Sequence, residues 1–223
     1  MGGLNMRGLI VMIFCGIAAL APADDSVDSS VDDSLQSAPK YVSRGIERFR
    51  NNQIAGSVRD FQRAAQLDPI VAPRLWQLGI SHYYAGNFGQ GQQLFELHQT
   101  VNRNDVENAA WHFICVARVD GIASARKKLL EIDVQRDGRV PMREVYQFYA
   151  GQGSEDAVLA AAQKADTERA RMYAHLYLGL YYEVIKKADQ ARSFMRKAAA
   201  AKLKENYMHD VAKIHLLQRK WTP

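Results

Sequence analysis

Residues 173–199 read YAHLYLGLYYEVIKKADQARSFMRKAA. Leu178-Gly179 is followed by Tyr182, and then by Ala191, Met195 and Ala198. A glycine lets two antiparallel helices approach closely, a small residue such as Ala191 suits their crossing point, and large apolar residues fill the gap between them. The spacing therefore predicts a helical hairpin over 170–201.

The pattern recurs. Gly79 lies 34 residues after Gly45, and Phe95 lies 34 after Phe61. Ser57, Ala64 and Pro69 keep the small and terminating positions of the first copy. One more step lands on Phe113 and Leu129, so the third copy loses its glycine while keeping Ala125 and Leu129. Helical hairpins are predicted at 40–67, 73–101, 105–132, 141–165 and 170–201, with a last helix at about 205–219. Asn51-Asn52, Gly86-Asn87 and Asp120-Gly121 punctuate the first three as short turns. Met208, Val211, Ile214, His215, Leu216 and Leu217 give the last helix an apolar side. That side is expected to cover the face which the final hairpin leaves open.

The Leu-Gly-x-x-Tyr and Ala-x-x-x-Met segments, repeated at a period of about 34, resemble the tetratricopeptide repeat family. The resemblance is good over 39–104 and 172–205, degenerate over 105–139 and suggestive over 140–168. It implies an all-α fold, an α-solenoid of helical hairpins with a C-terminal capping helix. The family is defined by architecture more than by activity, so it implies an interaction style and not a named partner. In such repeats the first helix of each pair lines the inner surface. By register, Val42, Ile46, Phe49 and Arg50 of the first copy and Trp76, Ile80, Tyr83 and Tyr84 of the second are expected to line an exposed groove for a protein or peptide. Ile46 and Ile80 stand where a clamp for C-terminal carboxylates needs Asn, so that subclass is not expected. The chain is similar in kind to exported adaptor proteins of the bacterial envelope, and self-association through the terminal helices is left open.

Composition fits a globular chain: 48% hydrophobic and 24% charged over 223 residues. Residues 1–23 read as an export signal, with Arg7, an apolar run from Leu9 to Leu20, and Ala21-Pro22-Ala23 as the cleavage site. Cys15 follows the bulky Phe14, which argues against lipidation there. The Ser/Asp-rich stretch 24–38 carries too little apolar surface to fold and reads as a linker. Setting aside Arg7 and the five acids of 24–38 leaves 28 Lys and Arg against 19 Asp and Glu, a net +9 for residues 39–223. These bases are scattered, which predicts a solvated face and no specific nucleic-acid site. A basic-surface binder of nucleic acid or anionic surfaces is an alternative.

Little points to chemistry. No Gly-x-Ser-x-Gly elbow, phosphate-cradling loop or dinucleotide fingerprint occurs, so neither an enzyme nor a cofactor is expected. His112 and Cys115 share a helix face without a third ligand nearby, and Cys115 in an apolar segment reads as a buried thiol. One further alternative is a calcium-responsive protein. Asp133 to Glu144 resembles an EF-hand loop, with Asp137 fifth, Gly138 sixth, Val140 eighth and Glu144 twelfth. Against it, Gln135 replaces an acid and Arg136, Arg139 and Arg143 surround the site.

Overall fold

The computed structural model describes residues 37–221. The expected export signal, the Cys15 position and almost all of the acidic linker lie outside them. The described residues form eleven α-helices and no strand. Ten of them fall into consecutive pairs: α1 (Ala38–Arg50) with α2 (Ile54–Leu67), α3 (Trp76–Tyr84) with α4 (Phe88–Gln99), α5 (Val106–Asp120) with α6 (Ile122–Lys127), α7 (Met142–Ala150) with α8 (Glu155–Ala165), and α9 (Glu168–Val184) with α10 (Ala188–Ala199). The last helix, α11, is Tyr207–Gln218.

The glycines sit where helices touch. A Cβ on Gly45 would lie 3.0 Å from the ring of Phe61, one on Gly79 2.6 Å from Phe95 Cζ, and one on Gly179 3.0 Å from Met195 Cε. In all three hairpins the large residue comes sixteen positions after the glycine, so the repeated spacing corresponds to a repeated contact. The turns repeat as well. Each pair is joined through one residue with positive φ: Asn52 (61°), Gly86 (79°), Gly121 (81°), Gly151 (78°) and Lys186 (63°). Three of these five are glycine, the residue that enters this region without strain.

Side chains fix several helix starts. Asp105, Ser154, Thr167 and Asn206 each accept a hydrogen bond from a backbone N–H in the first turn of α5, α8, α9 and α11. The third pair departs from expectation. Its second helix stops at Lys127 instead of reaching 132, and residues 128–141 follow an irregular path with one short 3-10 turn at Val134–Arg136. Asp133 starts that turn by accepting the N–H of Gln135 at 3.1 Å. This local hydrogen bond organises the segment that follows the helix end at Lys127.

The main core gathers α3 to α11 together with Phe49 of α1 and Ile54 of α2, and a smaller cluster of Tyr41, Val58, Phe61, Leu75 and Leu78 joins the first pair to α3. Helix α11 packs on α9 and α10 and also reaches α1. Among the described residues, no helix is long and apolar enough to cross a membrane.

Candidate functional site

The eight residues expected to line a groove are mostly covered. Phe49, Ile80, Tyr83 and Tyr84 are buried, Val42, Ile46 and Trp76 are half-buried, and Arg50 alone is exposed. For the four buried residues the expectation of exposure is corrected, and the last part of the chain supplies the cover. Tyr207 stacks on Phe49 with ring centres 5.1 Å apart, and the Tyr84 hydroxyl lies 3.0 Å from His215 Nδ1. Tyr83 donates to Glu183 Oε2 at 2.5 Å, and Arg219 closes on the same carboxylate. At the edge, Arg50 pairs with Asp210 at 2.8 Å. Val42 and Ile46 pack against the smaller core cluster.

What remains open lies beside this seam. A cavity of about 270 Å³ is lined by Trp76, Phe95, Trp111, Tyr173, Tyr207 and Met208, together with Asp105, Glu107, Asn108, Arg139, Glu205 and Asn206. Three chain segments supply its polar residues, and α3, α4 and α9 add Trp76, Phe95 and Tyr173. The first turns of α5 supply Asp105 to Trp111, the irregular 128–141 segment delivers Arg139, and the start of α11 supplies Glu205 to Met208. Trp76 opens α3 and is half-buried, and Glu205 is exposed, so these two residues stand at the mouth.

Arg139 is held by three carboxylates. It donates through Nε to Asp137 Oδ1 at 2.8 Å, through Nη2 to Asp137 Oδ2 at 2.6 Å and Asp105 Oδ1 at 2.5 Å, and through Nη1 to Glu107 Oε1. Such charge-assisted contacts keep the guanidinium protonated and fixed. The Tyr177 hydroxyl donates to the other oxygen of Glu107 at 2.6 Å. Burial pushes the Glu107 carboxyl up to about 7; Arg139 and the Tyr177 hydrogen bond oppose the shift, while Asp105 and Asp137 add to it. For Asp105, burial acts upward too, but His98 and Arg139 more than offset it and hold the carboxyl below its ordinary value. Burial, followed by the Glu107 charge, lifts the Tyr173 phenol to about 12.

A buried acid titrating near neutrality can mark proton-transfer chemistry. Here both oxygens of Glu107 are engaged, one by Arg139 and one by Tyr177, and no Ser, Cys or His nucleophile lines the cavity. Compared with protein-family models and with curated proteins, the chain matches none.

The EF-hand-like loop is engaged internally. Asp133 caps its own turn, and Asp137 accepts from Arg139 and from the N–H of Val106 at 3.1 Å. Among the described residues no three His, Cys, Asp or Glu side chains come together as a set of metal ligands. Cys115 is buried, which pushes its thiol far up, and His112 Nε2 lies 3.2 Å from Glu96 Oε1.

Sequence reasoning reached Trp76 and missed the rest of the cavity. Its polar residues come from segments more than thirty positions apart, with Arg139 falling 34 residues after Asp105 and 32 after Glu107. The one available signal was the degenerate third copy, where an acid-rich helix start at Asp105-Val106-Glu107 and an Arg-rich loop replace the regular pattern.

Proposed function

We propose that this chain is an exported α-solenoid of the tetratricopeptide type that works as a non-catalytic binding protein. A protein or peptide partner seats on the cavity beside the start of α11, with Trp76 as the contact at its mouth. The repeated contacts of Gly45 with Phe61, Gly79 with Phe95 and Gly179 with Met195 support the repeat reading. The observation that carries the binding reading is the cavity itself. At about 270 Å³ it is smaller than the roughly 300–1,000 Å³ that encloses a drug-sized molecule, and it suits one inserted side chain. Burying one anchor in a preformed, aromatic-lined pocket is how most interfaces obtain their affinity, and a rigid receptor avoids the cost of ordering itself.

The test is site-specific photo-crosslinking in an envelope extract. A photoreactive residue at Glu205, on the mouth, is expected to label a discrete partner, and the same residue at the exposed Asp189 on α10 is not. The label is expected to vanish when Trp76→Ala is added while helicity is unchanged. Equal labelling from both positions, or labelling indifferent to Trp76, overturns the assignment.

A further inference from the structure

Resting on that reading, we infer that the cavity receives a cationic side chain, a Lys or Arg carried on the partner's peptide. Charge is the first argument. Three acids line the cavity, Asp105, Glu107 and Glu205, against the single base Arg139, and Asp137 adds a fourth acid behind Arg139. This is a negative spot on a body whose residues 39–223 sum to +9. Local fields in a concave site select the ligand more strongly than the net charge of the body.

The second argument excludes the opposite sign. An anion would need Arg139 as its partner, but that guanidinium already donates to Asp105, Glu107 and Asp137. It has no free fork to offer.

The third argument is the wall. Five aromatic rings line the cavity, from Trp76, Phe95, Trp111, Tyr173 and Tyr207. Aromatic faces attract ammonium and guanidinium groups, more strongly where water is excluded. The aliphatic stem of Lys or Arg packs on such rings as well.

The fourth is an unanswered hydrogen bond. Asn108 is 3% exposed, and its Nδ2 donates to the Phe95 carbonyl at 2.9 Å and to Gln99 Oε1 at 3.2 Å. Those two bonds fix the amide orientation and leave Oδ1 buried without a donor. The indole N–H of Trp111 is likewise buried without an acceptor. Leaving such atoms unpaired is costly. A cationic residue within a peptide brings both a donor, its ammonium, and an acceptor, its carbonyl, to the cavity that Asn108 and Trp111 line, whereas a free amine brings only the donor.

Binding is coupled to Glu107. The titratable and charged groups around it are Asp105 from the start of α5, Asp137 and Arg139 from the irregular segment, and Tyr173 and Tyr177 from α9; α11 contributes the uncharged Met208. A cation arriving beside this carboxyl favours its ionised form, so affinity is expected to rise as pH increases through 7.

The experiment uses the full chain, isotope-labelled, and follows its three tryptophan indole signals by NMR. Trp76 and Trp111 line the cavity, and Trp221, packed against His215, is the internal control. The titrants are an end-blocked Gly-Lys-Gly tripeptide, the same peptide with norleucine, the same with glutamate, and free butylammonium. The lysine peptide is expected to move the Trp76 and Trp111 signals and leave Trp221 in place. It should bind about ten-fold more tightly than the norleucine peptide, the factor that roughly one cation–aromatic contact supplies. Glu205→Gln, a change at an exposed position, should weaken the lysine peptide alone, and Glu107→Gln should remove the pH dependence. Equal binding of the norleucine or glutamate peptide overturns the cationic assignment, and equal binding of butylammonium overturns the peptide. Partner crosslinking from position 205 that survives such a result would leave the binding site standing and remove only its preference for charge.

Discussion

Replacing Glu107 by Gln gives the sharpest test of the electrostatics of the cavity. Burial moves this carboxyl from an ordinary 4.5 to about 7 in the folded protein. An acid whose folded pKa is raised binds its proton more tightly in the native state, so stability is lost as pH rises from about 4.5 to 7. Between pH 5 and pH 8 the native state holds nearly two proton-units more than the unfolded chain, integrated over pH. At about 1.4 kcal/mol per unit this comes to roughly 2–3 kcal/mol. Glutamine resembles the protonated acid at every pH. Relative to the wild type, Glu107→Gln is therefore expected to gain roughly 2–3 kcal/mol on going from pH 5 to pH 8. Any fixed cost of the substitution, such as an altered bond to Tyr177, cancels in that difference. The comparison also removes His215, whose depressed pKa of about 4, caused first by its burial, makes both proteins less stable as pH falls below 6.5. The assay is urea unfolding of both proteins at the two pH values, read by circular dichroism. A relative stability that stays constant between pH 5 and 8 would refute the argument, because Glu107 would then titrate alike in both states.

Three further outcomes concern the hairpins. Gly79→Ala should be destabilising by about 1–2 kcal/mol in thermal unfolding, because overpacking against the buried ring of Phe95 outweighs the roughly 1 kcal/mol of gained helix propensity. Gly179→Ala should be less destabilising than Gly79→Ala, since its nearest atom is the movable end of Met195 at 3.0 Å, with the backbone atoms Met195 N and Ala191 O at 3.2 and 3.3 Å. Lys186→Gly should stabilise by about 0.5–1 kcal/mol in the same measurement, since Lys186 holds a φ of 63° that costs a side-chain-bearing residue about that much; a loss of stability would count against strain at this turn.

The hairpins were legible because each depends on neighbours in the chain. Gly179 meets Met195 and Gly79 meets Phe95 within one hairpin, and Gly86 and Gly121 mark turns that a glycine favours. Lys186 occupies the same kind of turn without a recognisable residue type. The third pair was read too long, because Leu129 and Ile132 continue an apolar pattern and pack against the core although the helix has already ended at Lys127. The site was less legible, and for a reason of the same kind. Periodicity shows that Phe49, Ile80, Tyr83 and Tyr84 share one side of their helices, but it is silent about what lies against that side. The covering residues, Tyr207 and His215, come more than a hundred positions later. The three-carboxylate grip on Arg139 likewise depends on which loop returns to which helix start.

Helix α11 joins the two ends of the folded chain. Arg50 binds Asp210 across 160 residues, and Gln218 donates to Asn52 at 2.7 Å across 166. In an open row of repeats each unit leans only on its neighbours, so terminal units can come apart by themselves while the middle persists. Here loosening of the first hairpin also strips Phe49 from Tyr207 and uncovers α11, and loss of α11 uncovers α1 and α3. The two ends therefore melt as one cooperative unit, and fraying from either terminus is coupled to the cavity that α11 helps to form. Because these contacts close the longest loops in the molecule, they are also the slowest to be gained during folding. The cavity is complete only after α11 has docked.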